Sequence, residues 1–251
     1  IVGDDEGEPD QAYLPTVAAG LTAMLGAPGA APAWVYPNGA TAEGFAERYV
    51  VYNPSDEVVH VEVQVILDDP ATNGVAEPFQ LSIEPRGYQA VHLFGTTDTR
   101  VPVGVGHSVV VRSVDDVPVV SARAIWSLAE EDPVGLSYTL GSPVVATRWS
   151  SATACLEAQT AASVTIFNPS PDAPATATLQ VVGSGRDEPV ADVGAVTIPP
   201  NERRVIGIPI DSWGVPGSGI VVTADNPVVS EIHYRLGEDG LPFFVLAPWL
   251  G

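Results

Sequence analysis

The chain has 251 residues, 45% hydrophobic and only 16% charged, with 24 Gly and 24 Pro, a composition that can bury a core and is not that of a disordered protein. Its ten basic residues, all Arg, face 31 Asp and Glu, a formal charge of −21. Such a field repels phosphate backbones and anionic lipid, so nucleic acid is excluded as an expected partner.

The first residue is Ile and the opening residues carry an acidic cluster, Asp4, Asp5, Glu6, Glu8 and Asp10. With no initiator Met, the chain is expected to begin at an internal point of its gene product, after a removed signal peptide, a membrane anchor or a stretch too mobile to be seen. An Ala/Gly/Pro-rich stretch follows to Pro32, with weak strand character only around Tyr13 to Val17. Two readings of residues 1–32 stand: a tether, or an extended tail that adds a strand to its own chain or to a partner, with Tyr13 and Leu14 as the interaction residues.

From residue 33 onward the chain repeats itself. Trp34 precedes Asn53-Pro54-Ser55 by 19 positions, and Trp149 precedes Asn168-Pro169-Ser170 by the same interval. Ile83-Glu84-Pro85 recurs as Ile198-Pro199-Pro200 at the same offset of 115, and Pro118-Val119-Val120-Ser121 as Pro227-Val228-Val229-Ser230 at an offset of 109. The repeat predicts two domains, 33–147 and 148–251. Each has the size of an immunoglobulin-like sandwich.

In the first repeat, seven strands are predicted: Glu47 to Tyr52, Val58 to Leu67, Phe79 to Ile83, Gln89 to Leu93, Ser108 to Val114, Val119 to Ser127 and Leu136 to Leu140. Alternation is plain in His60-Val61-Glu62-Val63-Gln64-Val65. Helical periodicity is absent. The expected fold is therefore all-β, two tandem immunoglobulin-like β-sandwich domains with an N-terminal extended tail. Each Asn-Pro-Ser marks the end of a strand, because Pro cannot donate to a ladder and Asn caps the turn.

These features together, the early Trp, the Asn-Pro-Ser turn, the Ile-x-Pro segment and the Pro-Val-Val-Ser strand, resemble an uncharacterised actinobacterial family of secreted or membrane-anchored proteins. The resemblance implies an extracytoplasmic β protein. It transfers no catalytic residue.

The chemistry-bearing residues form no recognised catalytic constellation. A blue-copper centre needs Cys, two His and usually Met close together, whereas Cys155 and Met24 stand far apart and His60, His92, His107 and His233 are scattered. Neither Gly183-Ser184-Gly185 nor Gly217-Ser218-Gly219 has the spacing of a nucleophile elbow. No catalytic residue and no cofactor is expected. The Asp68-Asp69-Pro70-Ala71-Thr72-Asn73-Gly74 loop offers oxygen ligands for calcium through Asp68, Asp69 and Asn73, without the alternating acids of an EF-hand. Trp213, between Ser212 and Gly214, is a candidate contact for glycan or protein. No apolar run is long enough to span a bilayer. The expected function is a non-catalytic extracytoplasmic structural or protein-interaction module, and the alternative is a carbohydrate- or small-ligand-binding surface module.

Overall fold

A computed structural model describes residues 26–40, 45–68, 76–93, 100–102, 104–127, 136–152, 160–183, 191–208, 219–236 and 242–246. The fold is all-β, with antiparallel sheets packed as sandwiches. Among the described residues, eight strands make the first unit: β1 (Ala33–Ala40), β2 (Phe45–Tyr52), β3 (Val59–Leu67), β4 (Phe79–Ile83), β5 (Tyr88–His92), β6 (Gly106–Ser113), β7 (Val120–Ser127) and β8 (Leu136–Leu140). Sheet I has the order β1-β6-β3-β4 and sheet II the order β5-β2-β7-β8.

The second unit uses β9 (Ala146–Ala152), β10 (Thr160–Phe167), β11 (Ala175–Val182), β12 (Ala191–Ile198), β13 (Arg203–Ile208), β14 (Gly219–Leu236) and β15 (Pro242–Leu246). Its strands pair in the same arrangement, because β14 does the work of both β6 and β7. Gly219–Ala224 lies between β9 and β11 in what we call sheet III, and Val229–Leu236 between β10 and β15 in sheet IV, with β12 and β13 at the far edges. The first unit breaks this long strand at a turn in which Asp116 takes a positive φ of 57°. In the second unit the strand runs on, with a register shift between Thr223 and Val228.

Two strand features escape a reading by alternation. Strand β1 was not predicted, because Pro37, Asn38 and Gly39 interrupt its pattern. It forms nonetheless, since Trp34 and Tyr36 are buried against the core while a bulge between Tyr36 and Gly39 absorbs the irregularity. The end of the stretch read as a tail is also docked: Ala31 and Val119 exchange two backbone hydrogen bonds of 2.9 Å, and the Ser113 N–H donates to the Pro32 carbonyl.

The repeated residues do repeated work. Trp34 Nε1 donates to the Val119 carbonyl at 2.8 Å, and Trp149 Nε1 to the Val228 carbonyl at 2.9 Å. Asn53, fully buried, donates to the carbonyls of Glu57, Ile83 and Glu84 and accepts from Ser55, and Asn168 does the same with Ala173, Ile198, Pro199 and Ser170. Each Asn thus ties the end of one sheet to the turn leaving the other. The following turns share a left-handed residue, Arg86 (φ 57°) and Asn201 (φ 52°), whose N–H groups donate to Ser55 and Ser170.

Candidate functional site: a sealed charge network between the sandwiches

The two sandwiches lie side by side, with β1 against β10 and β14, and β8 against β15. Val35, Ile66 and Val110 point outward from sheet I and join the core cluster of the second unit, which includes Phe167 and Val229. Alternation places Phe167, Thr165, Val229, Glu231 and Arg203 on the outward face of sheet IV, where all five are buried. An outward face is buried here because the neighbouring sandwich covers it.

Among the described residues, two charged assemblies cross this boundary. In the first, Arg123 reaches from the inner face of sheet II to the Glu231 carboxylate and the Asn38 carbonyl, and donates to Thr139 Oγ1 at 3.3 Å. Both Arg123 and Glu231 are only 1% exposed. The Asn38 N–H donates to the second Glu231 oxygen at 3.2 Å. Behind Arg123 lies Glu47, whose Oε1 accepts from the Tyr49 hydroxyl at 2.7 Å and whose Oε2 lies 2.8 Å from His107 Nε2. The other His107 nitrogen faces the Val105 carbonyl at 3.3 Å, so both ring nitrogens meet acceptors.

In the second assembly Arg203 of β13 forks onto Asp68 at the end of β3. Its Nε donates to both carboxylate oxygens at 2.8 and 3.0 Å, and its Nη2 to Oδ2 at 2.7 Å. Its Nη1 donates to Asn38 Oδ1 at 2.8 Å and to the Gly39 carbonyl at 3.3 Å. Asn38 therefore touches both cations. Glycines make the room: a Cβ on Gly106 would stand 1.9 Å from Arg203 Nη2, and one on Gly39 would stand 2.3 Å from His107 Nε2.

Burial and charge pull the two buried acids in opposite directions. Burial works against an ionised Glu47, but His107, then Arg123 and the Tyr49 hydroxyl, outweigh it and hold Glu47 below the usual carboxylate range. Burial dominates at Glu231 and lifts it above that range, although Arg123 and the Asn38 N–H oppose the shift. The loss of hydration also raises Tyr36 and Tyr49 well above the ordinary phenol range, with Glu47 adding to the effect at Tyr49. Tyr36 packs edge-on against Tyr49 at 4.9 Å between centroids and donates to Ser121 Oγ at 2.8 Å.

The register shows that this polarity is peculiar to the first unit. The positions of Tyr36, Glu47, Tyr49 and Arg123 are occupied in the second unit by Ser151, Ala162, Val164 and Ile232, and the position of Glu231 is occupied in the first by Ala122. Sequence reasoning passed over Glu47, Arg123 and Glu231. The available signal was a charged residue at an inward position of an alternating strand, as with Arg123 in Ser121-Ala122-Arg123-Ala124-Ile125.

Of the residues singled out by sequence, Asp68 is engaged by Arg203, while Asp69, Asn73, Trp213, Tyr13 and Leu14 lie outside the described residues, as does Cys155. Among the described residues no group of three or more His, Cys, Asp or Glu could hold a metal ion, and no helix is long and apolar enough to cross a membrane. A shallow groove of about 490 Å³ runs between the edge strands β4 and β5, where Arg100 stacks 3.7 Å above the Phe79 ring beside Gln80 and His92.

No protein-family profile matches the chain, and no curated protein matches it. Among solved structures, the crystal structure of Thermotoga maritima 1070 is similar over 45% of this chain and 94% of its own, at 20% identity and a TM-score of 0.37. The Anabaena sensory rhodopsin transducer is similar over 37% of this chain and 92% of its own, at 22% identity and a TM-score of 0.31.

Proposed function

We propose that the chain is a non-catalytic extracytoplasmic module of a cell-envelope or extracellular assembly, a stiff two-sandwich spacer whose outer faces meet a protein partner. The observation that carries this reading is the use made of its buried ionisable groups. Glu47, His107, Arg123 and Glu231 have the chemistry of an acid-base site, yet each is at most 1% exposed and their described hydrogen bonds go to one another and to the surrounding Asn38, Tyr49, Val105 and Thr139. A substrate would have to part the two sandwiches to reach them. What the network does in place is lock the relative orientation of the units, as a spacer requires. The large negative charge suits a protein that must stay soluble at high local concentration.

The test is labelling and cross-linking of intact source cells with membrane-impermeant reagents, followed by mass measurement of the native complex. Labelling at the surface and a cross-link to a second envelope component are expected. A chain protected inside the cell, or labelled but never cross-linked, overturns the reading. The second reading, a carbohydrate-binding module, is favoured by the Phe79 and Arg100 groove and requires that Phe79→Ala abolish retention on a glycan matrix.

A further inference from the structure

The repeat allows the surface that joins the two sandwiches to be located again, partly uncovered, on the first unit. On sheet IV the buried outward square is Phe167, Val229, Arg203, Thr165 and Glu231. The same register positions on sheet II are Tyr52, Val120, Tyr88, Val50 and Ala122. Phe167 is 0% exposed, whereas Tyr52 is 39% and Tyr88 is 67% exposed. Tyr52 and Tyr88 thus stand open where their counterparts are covered, and Val50 and Val120 are partly exposed, while Ala122 is buried, as are Ala46, Ala124 and Trp126 farther along the same face. Tyr88 is the most exposed large hydrophobic residue among those described.

The complementary surface recurs as well. Val35, Ile66 and Val110, which sheet I presses onto the second unit, correspond on sheet III to Ser150, Val182 and Val221. All three are partly exposed and uncharged. The charged pair that crosses the intrachain boundary changes on both sides at once. Arg123 is replaced by Ile232 and Glu231 by Ala122, so a contact between the second pair of faces would bury no unpaired charge at that point.

We propose that the end of sheet II's outward face that carries Tyr52 and Tyr88 is a docking surface for the second sandwich of another copy of this chain, repeating between molecules the packing that already joins the sandwiches within one. This deepens the scaffold reading and rests on it, with the partner named as a second copy. The two surfaces differ, so the contact is heterologous: each chain offers one face of each kind, and the assembly grows head to tail rather than closing as a symmetric dimer. Charge supports this choice of faces. In a chain of net charge −21, copies meet at least cost through faces poor in carboxylates: the described outward positions of β2, β5, β7 and β8 carry Arg48 and His92 but no Asp or Glu, and sheet III carries Arg148 and, on its edge strand β12, Asp192.

Sedimentation velocity of the purified chain from about 1 μM to about 1 mM, at salt from about 0.05 to about 0.5 M, tests the proposal. Species larger than a dimer are expected, growing with concentration and with salt as the net repulsion is screened. Tyr88→Glu spoils the receiving face and Val221→Glu the donating face. Both sites accept a polar side chain at the surface, which circular dichroism checks. Each variant alone should stay monomeric, and an equimolar mixture should form a dimer and nothing larger, since each supplies the face the other lacks. A wild-type chain that is monomeric throughout, or that stops at a dimer, or a mixture that does not pair, overturns the proposal. Because this experiment uses the isolated chain, that failure is separate from the cell-surface test of the scaffold reading.

Discussion

Replacing Glu231 by Gln keeps the shape of the side chain and removes the charge that faces Arg123. The arginine, 1% exposed, would lose its closest carboxylate and keep, among its described partners, Glu47 at 3.8 Å, the neutral acceptors Asn38 O and Thr139 Oγ1, and the Tyr36 ring. Breaking a buried pair from one side typically costs about 3–5 kcal/mol. Glu47 already serves His107 and Tyr49, so it offsets only part of this, and about 3 kcal/mol is expected, a factor on the order of 100 in the folding equilibrium. Equilibrium urea unfolding read by tryptophan fluorescence measures it as a drop in midpoint. The repeat supplies the second arm. Arg123→Ile with Glu231→Ala installs the residue types found at the equivalent positions, Ile232 and Ala122, and should lie within about 1 kcal/mol of wild type or above it, since apolar replacements of buried pairs are often neutral or stabilising. A Glu231→Gln cost below about 1 kcal/mol, or a double variant less stable than the single one, would refute the claim that the network acts as a desolvated clamp.

Three further outcomes are expected. Gly106→Ala, with its Cβ 1.9 Å from Arg203 Nη2, should displace Arg203 and lower stability by about 1–3 kcal/mol; Arg203→Ala should then cost little more in that background, and full additivity would show that the two residues act separately. Asn53→Ala strands the Glu57, Ile83 and Glu84 carbonyls and should cost about 2–3 kcal/mol, with protease cleavage near residues 53–57 as the local readout; unchanged proteolysis would argue against the turn as a tie between the sheets. For Tyr36 and Tyr49 the folded pKa lies above the unfolded value near 10, so the folded state keeps protons that the unfolded state releases. Their stability contribution is intact below about pH 10 and is lost as pH rises beyond it, at up to about 2.7 kcal/mol per pH unit for the pair. Alkaline urea titrations of wild type and of Tyr36→Phe with Tyr49→Phe should diverge only above that pH, and parallel curves would exclude the assignment.

The all-β class and the internal repeat were legible in sequence because they rest on local chemistry. Strand alternation in Val61, Val63 and Val65 follows from the pleat, and the Asn-Pro-Ser turns follow from what Pro cannot donate and what Asn can cap. Residues separated by 115 positions with the same role, such as Trp34 and Trp149, need no tertiary information to be matched. Tertiary structure alone decided the rest. Strand β1 forms through burial and a bulge that override its local pattern, and β6 and β7 correspond to a single strand in the second unit. The charge network joins Glu47, His107, Arg123 and Glu231, the last 108 positions from Arg123. No local pattern signals such a contact. The partner that makes a buried charge tolerable is chosen by how two sandwiches meet, and the same register position can therefore hold an exposed Tyr88 on one unit and a buried Arg203 on the other.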